Sequence, residues 1–110
     1  MEEFVKGDVV VLPFPFSDLS KSKRRPALVV AKLGGDDIIL CQITSEARVD
    51  NYSIALCDND FKTGKLNLAS LIRPNRLFTA DKSIVIYRIG FLKDLKIKET
   101  EKEIVKIFTE

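Results

Sequence analysis

Short β-branched runs, each halted within a few residues by a turn signal, constrain this chain more than any other feature. Val9-Val10-Val11-Leu12 ends at Pro13, the pattern of a buried strand running out to a sheet edge. Ala27 to Ala31 and Ile38 to Ile43 are two further runs. Gly34-Gly35-Asp36-Asp37 between them is a turn signal, so the two are expected to form a hairpin. Tyr52 to Leu56 alternates polar and apolar residues like a half-buried strand, and Ser70 to Ile72 continues the pattern. Ile84 to Phe91 is β-rich again, with Gly90 marking a bulge or a close approach. The tail changes period. Thr100-x-x-Glu103 reads as a capping box, after which Ile104, Val105 and Phe108 share one helical face, with Lys102 and Lys106 among the outward residues. About six short strands before one C-terminal helix predict a mainly β fold, a small curled sheet or barrel closed by that helix.

The length, 110 residues, fits a single domain spanning 1–110, and 45% hydrophobic with 31% charged residues argues against disorder. A net charge of +2 does not by itself announce nucleic-acid binding; only a local basic cluster does. Histidine is absent, which removes the usual general base near neutral pH and the commonest metal ligand. Cys41 and Cys57 are too few for a disulfide framework or a zinc cage and read as buried reduced thiols, with a single bridge the alternative. The opening Met1-Glu2-Glu3-Phe4 lacks a following apolar region, and the apolar runs fall short of a membrane span, so the expected compartment is the cytoplasm. Neither a glycine-rich phosphate loop nor a trustworthy metal-site spacing is present; Asp58-Asn59-Asp60 opens like a calcium loop, but Thr63 and Ala69 stand where its glycine and final glutamate belong.

Three constellations remain. Between the first two strands, Ser17 to Arg25 is polar and basic, with Lys21, Lys23, Arg24 and Arg25 inside five positions. Either it is a solvated loop, or it holds phosphates; four contacts to one strand would give log affinity a slope of about −3 against log salt. Arg25 stands apart because Pro26 biases it to extended geometry where the loop meets a buried strand, and a guanidinium fork fixed there suits two phosphate oxygens. Ile43-Thr44-Ser45 brings two hydroxyls out of an apolar run; they either donate to an anionic oxygen or cap the turn into Glu46 and Ala47. Ser70 and Arg73-Pro74-Asn75-Arg76 form the third group, in which the arginines extend a positive groove or pair with surface carboxylates. Phe14 and Phe16, two apart, share a strand face and are core residues or base-stacking platforms.

Lys6-Gly7-Asp8-Val9-Val10, Pro13-Phe14-Pro15-Phe16, Arg24-Arg25-Pro26-Ala27-Leu28-Val29-Val30, Ile43-Thr44-Ser45, Ser70, Thr79-Ala80-Asp81-Lys82 and Ile89-Gly90 together resemble the MazF/PemK-like toxins of type II toxin–antitoxin systems, from about Lys6 to the end. The resemblance implies an SH3-like small β-barrel of the MazF/PemK/CcdB toxin type, a homodimer, and a sequence-specific endoribonuclease (an mRNA interferase) that cleaves single-stranded RNA without metal or cofactor. It also implies a cognate antitoxin protein that covers the RNA groove. By the same resemblance Arg25 and Thr44 are the catalytic pair and Ser70 matches a position near the same groove; the basic loop, the second hydroxyl and the third group add Lys21, Lys23, Arg24, Ser45 and Arg76 as the other expected RNA-binding residues. The first loop reads Asp18 to Lys23 where many members carry Gly-Ser-Glu-Gln, so the chemistry is implied and the cleavage sequence is not. Two other functions suit the same small barrel: a non-catalytic RNA- or protein-binding module, and a gyrase-inhibiting toxin.

Overall fold

The computed structural model describes residues 3–15, 19–46 and 50–110. Seven strands form one antiparallel sheet: β1 (Asp8–Phe14), β2 (Lys23–Lys32), β3 (Asp37–Thr44), β4 (Ile54–Leu56), β5 (Phe61–Gly64), β6 (Ser70–Asp81) and β7 (Tyr87–Leu92), followed by helix α1 (Asp94–Thr109). The spatial order is β4-β6-β3-β2-β1-β7-β5. β4 and β5 are adjacent in sequence yet sit at opposite edges of the sheet, so the sheet curls into a half-barrel. Helix α1 spans the gap: Lys93 N–H donates to the Asp60 carbonyl at 2.8 Å, and the Lys96 ammonium donates to the Ala55 carbonyl at 2.9 Å.

Curling buries both faces of the central strands. One cluster gathers Val9, Leu28, Cys41, Ile43, Ile72 and Leu92 with Ile97 of the helix. The other gathers Val10, Leu12, Ala27, Val29, Leu40 and Ala80. Successive residues of β1 and β2 alternate between the clusters, as the period of two requires. This is why those strands read as unbroken apolar runs.

The Gly7-Asp8 opening has a structural reason. Gly7 sits at φ +105, and a side chain there would meet Ile97 and Phe91. Asp8 is buried; it accepts from the Val5 N–H at 2.8 Å and pairs with Arg88 at 3.1 Å, pinning the N-terminal segment over the second cluster.

Several expectations change. The β2–β3 hairpin forms where its turn residues predict. Yet β2 begins at Lys23, so Lys23, Arg24 and Arg25 are strand residues and not part of a flexible loop. The sequence pattern missed this because all three are exposed and polar. Tyr52 and Ser53 lie outside β4; their backbone N–H groups donate to Asp50, an Asx turn that precedes the strand. β6 extends far beyond Ile72, and Tyr87, not Ile84, opens β7. The capping box does not start the helix. α1 begins at Asp94, and Thr100 is buried in mid-helix with its hydroxyl donating to the Lys96 carbonyl. Ile97 and Thr100 face the core, whereas Val105 and Phe108 are 60% and 73% exposed. Both thiols are free, but only Cys41 is buried, where desolvation pushes its pKa up to about 12; Cys57 is exposed. Phe14 is half-buried with its ring centroid 5.3 Å from that of Phe78, while Phe16, Ser17, Asp18, Ala47 and Arg48 lie outside the described residues.

Gly90 is a close approach, as its position in the sequence suggests. A Cβ there would meet the Thr63 carbonyl oxygen and stand 3.0 Å from the Gly64 Cα. Gly90→Ala is therefore expected to lower stability by about 1–3 kcal/mol through overpacking of the β5–β7 contact, read as a fall in the urea midpoint at unchanged m.

Candidate functional site

The site grows out of the second core cluster. On β2, Arg25 shares the face of Ala27 and Val29; on β3, Thr44 shares the face of Gln42 and Leu40. The strands pair Ala27 with Gln42, Leu28 with Cys41 and Val29 with Leu40. Two residues beyond the Ala27–Gln42 pair stand Arg25 on β2 and Thr44 on β3, on the same face. Leu12 of β1 pairs with Arg25 and Leu71 of β6 pairs with Thr44. Where the apolar residues run out, this face becomes a cleft.

β6 completes the cleft with a bulge. Gln42 pairs with Arg73, but the next residue back, Cys41, pairs with Leu77; Pro74, Asn75 and Arg76 are looped out between them. A proline has no N–H for the ladder, and a bulge is where a strand accommodates one. The loop-out brings Arg73, the last paired residue before it, and Arg76, its own last residue, into the same cavity.

That cavity measures about 380 Å³ and is lined by Lys21, Lys23, Arg25, Arg73 and Arg76 against a single carboxylate among its lining residues, Glu46. Phe14 and Phe78 form an apolar wall. Arg25 is exposed and makes no ion pair among the described residues. Arg73 is 8% exposed. Its guanidinium meets Asp50 only at 3.5 Å, and its Nε–H has no hydrogen-bond partner among the described residues. A buried guanidinium so incompletely satisfied beside a cavity is an anion site in waiting. The Thr44 hydroxyl oxygen accepts from the Glu46 N–H at 3.1 Å, so it does cap its turn. That bond uses a lone pair and leaves the proton to donate into the cleft.

The period of two divides the other expected residues. Arg24, Ser45 and Ser70 belong to the opposite face and line a second cavity of about 670 Å³, which Arg25 and Thr44 also border. Ser70 is buried, with its hydroxyl donating to the Leu68 carbonyl at 3.0 Å, so it shapes the wall. Of the eight expected residues, Arg25, Thr44, Lys21, Lys23 and Arg76 are therefore brought together, and Arg24, Ser45 and Ser70 lie round the edge of the sheet. Sequence reading left Arg73 between a groove and a surface ion pair; its burial and the bulge beside it come from non-local pairing.

These features define a class: a small half-barrel with a basic cleft built on its strand ends. A family model described as PemK-like, MazF-like toxin of type II toxin–antitoxin system matches residues 5–108. The chain belongs to that family. No curated protein sequence matches it. Among solved structures it resembles MazF from Deinococcus radiodurans, at 17% identity and a TM-score of 0.77 over the whole of both chains. It also resembles an endoribonuclease in complex with its cognate antitoxin from a mycobacterial species, at 13% identity and a TM-score of 0.77, over 97% of this chain and 96% of that one. A third is the Mycobacterium tuberculosis toxin MazF-mt6, at 18% identity and a TM-score of 0.70, over 93% and 96%. At such identities the likeness carries the fold alone.

Asp50 links the site to pH. Backbone N–H groups of Tyr52 and Ser53 hold its carboxyl below the usual range, with the Ser53 hydroxyl and Arg73 adding to this. A depressed folded-state pKa stabilises the fold above the unfolded value near 3.9 and loses that contribution as pH falls through the folded value. Asp50→Asn keeps the shape without the titration. It is expected to flatten the loss of thermal stability between pH 5 and 3 relative to the parent, as measured by melts across that range.

Proposed function

We propose that this chain, acting over its full 110 residues as one toxin domain in the cytoplasm, is a sequence-specific endoribonuclease that cleaves single-stranded RNA without metal or cofactor. The observation that supports this reading is that Arg25 and Thr44 line one cavity together with four further cations. In the reaction, the ribose 2′-oxygen attacks the adjacent phosphorus and the bond from phosphorus to the 5′-oxygen breaks. The 2′-hydroxyl proton passes to solvent, the departing 5′-oxygen takes one up, and the products carry a 2′,3′-cyclic phosphate and a 5′-hydroxyl. The substrate supplies its own nucleophile, so a chain without histidine can run this chemistry.

Negative charge grows on the phosphoryl oxygens in the transition state. The Arg25 guanidinium stabilises it with its fork, and the Thr44 proton donates to the same oxygens. Arg73 adds a second positive charge whose position is fixed by burial. Lys21, Lys23 and Arg76 hold neighbouring phosphates by charge.

The test is incubation with mixed-sequence RNA in EDTA. Discrete fragments ending in cyclic phosphate are expected. Arg25→Ala and Thr44→Val should each retain the parent melting curve and lose roughly a hundred- to a thousandfold in cleavage rate. An Arg25→Ala protein cutting at the parent rate would overturn the assignment. Intact RNA with salt-sensitive binding would make the chain a binding module, and inhibited supercoiling with intact RNA would make it a gyrase poison.

The partners are an antitoxin that covers the basic cleft and a second copy of this chain. The second copy has a surface to meet: Val30, Ile39, Leu77 and Phe78 form an apolar groove with Ile104, Val105 and Phe108 of the helix. An apolar helix face left in water is the mark of an interface. Phe108→Asp should convert a dimer to a monomer in light scattering with the fold intact; an unmodified chain that is monomeric at tens of micromolar would exclude the dimer.

A further inference from the structure

The second cavity is larger than the catalytic cleft and differs from it in chemistry. Its floor is apolar: Tyr87 of β7 pairs with Val11, Val11 pairs with Pro26, and Ile43 follows on β3, all facing the first core cluster. Tyr87 is 48% exposed and lines the cavity, which gives a flat ligand an aromatic side chain to meet.

The opposite wall is the segment 65–68, and it is held in shape. The Asp58 carboxylate accepts from the backbone N–H groups of Leu66 and Asn67 at 3.1 and 3.2 Å, and Asn67 adopts a left-handed φ of 61. This fastening holds the segment that carries Leu68, which is 58% exposed and lines the same cavity as Tyr87. Arg24 and Lys65 add positive charge to that lining. At about 670 Å³ the cavity lies within the roughly 300–1,000 Å³ usual for small-molecule sites. It also shares Arg25 and Thr44 with the catalytic cleft, so a ligand seated here lies directly beside the scissile phosphate.

We propose that this cavity is a nucleoside subsite, in which one base flanking the scissile phosphate stacks on the Tyr87 ring against Leu68, while Arg24 and Lys65 hold the phosphate beyond it. The proposal rests on the nuclease reading above and adds to it the place where one base of the RNA is received. An aromatic platform with a cationic rim is the chemistry that single-stranded nucleic acid requires, since every base offers a π-face and every linkage a negative charge. Tyr87 is a specificity-determining residue in this scheme and takes no part in bond breaking.

The experiment sequences the ends of fragments cut from a mixed-sequence RNA pool by the unmodified protein, Tyr87→Ala, Tyr87→Phe and Leu68→Ala, with kcat/KM then measured on the preferred sequence. Tyr87→Ala is expected to blunt the base preference at one position flanking the cut and to lower kcat/KM roughly ten- to a hundredfold. Tyr87→Phe restores both, because the ring and not the hydroxyl carries the stacking. Leu68→Ala, at an exposed rim position, shifts preference at the same flank. A Tyr87→Ala protein with the parent's preference and rate overturns the subsite while leaving the nuclease reading intact. RNA left uncut by the unmodified protein overturns both.

Discussion

The pairing register of β2 with β3 is the constraint on which the site depends. Ala27 opposite Gln42 fixes the face on which Arg25 and Thr44, each two residues further on, both appear. A slip of one residue would exchange the faces and send Leu28 and Cys41, both fully buried, to the wrong side. The core therefore enforces the register of the cleft, since Val29, Leu40 and Leu12 pack only when Arg25 and Thr44 emerge together. A guanidinium on a flexible loop would have to be ordered with every turnover. One on a strand end held by two packed faces is already in place, and preorganisation of this kind is what makes a charge useful to a transition state.

Arg73 shows how the scaffold concentrates charge at that place. Taking an ion out of water without full pairing costs several kcal/mol, and its contact with Asp50 at 3.5 Å offsets little of this. The looped-out Pro74, Asn75 and Arg76 interrupt the ladder opposite Cys41 and Gln42, in the middle of the longest strand. Both features are departures from good folding practice on one strand, beside one cavity. A sequence consistent with its fold everywhere else tends to break local rules where it has something to bind.

How far the sequence revealed this follows from how local each signal was. The hairpin of β2 and β3 was legible because its apolar runs and its Gly34-Gly35-Asp36-Asp37 turn lie within one short stretch. Arg25 was singled out by Pro26, its immediate neighbour. The strand character of Lys23 and Arg24 was hidden, because exposed polar residues at a strand end carry no periodic signal; only pairing with Phe14 and Pro13 reveals it. The helix start was misplaced because Thr100 and Glu103 satisfy the capping pattern while tertiary packing draws the helix back to Asp94. Arg73 was undecided for a deeper reason: its burial depends on strands distant in sequence, and no window of the chain contains them.

The two cavities differ in a way the sheet makes natural. Rows of paired residues end at the strand termini, and the side chains on them alternate between faces. Arg25 and Thr44 stand at that boundary and border both spaces. One face offers dense positive charge on strands packed against the core, while the other offers an apolar floor walled by the 65–68 segment. On the proposed reading, the chemistry rests on the part of the fold least free to vary. Base recognition would then rest on a wall fastened by one aspartate, Asp58, whose sequence can change without disturbing the register beneath it. A small barrel arranged in this way would keep one reaction while altering which bases it accepts.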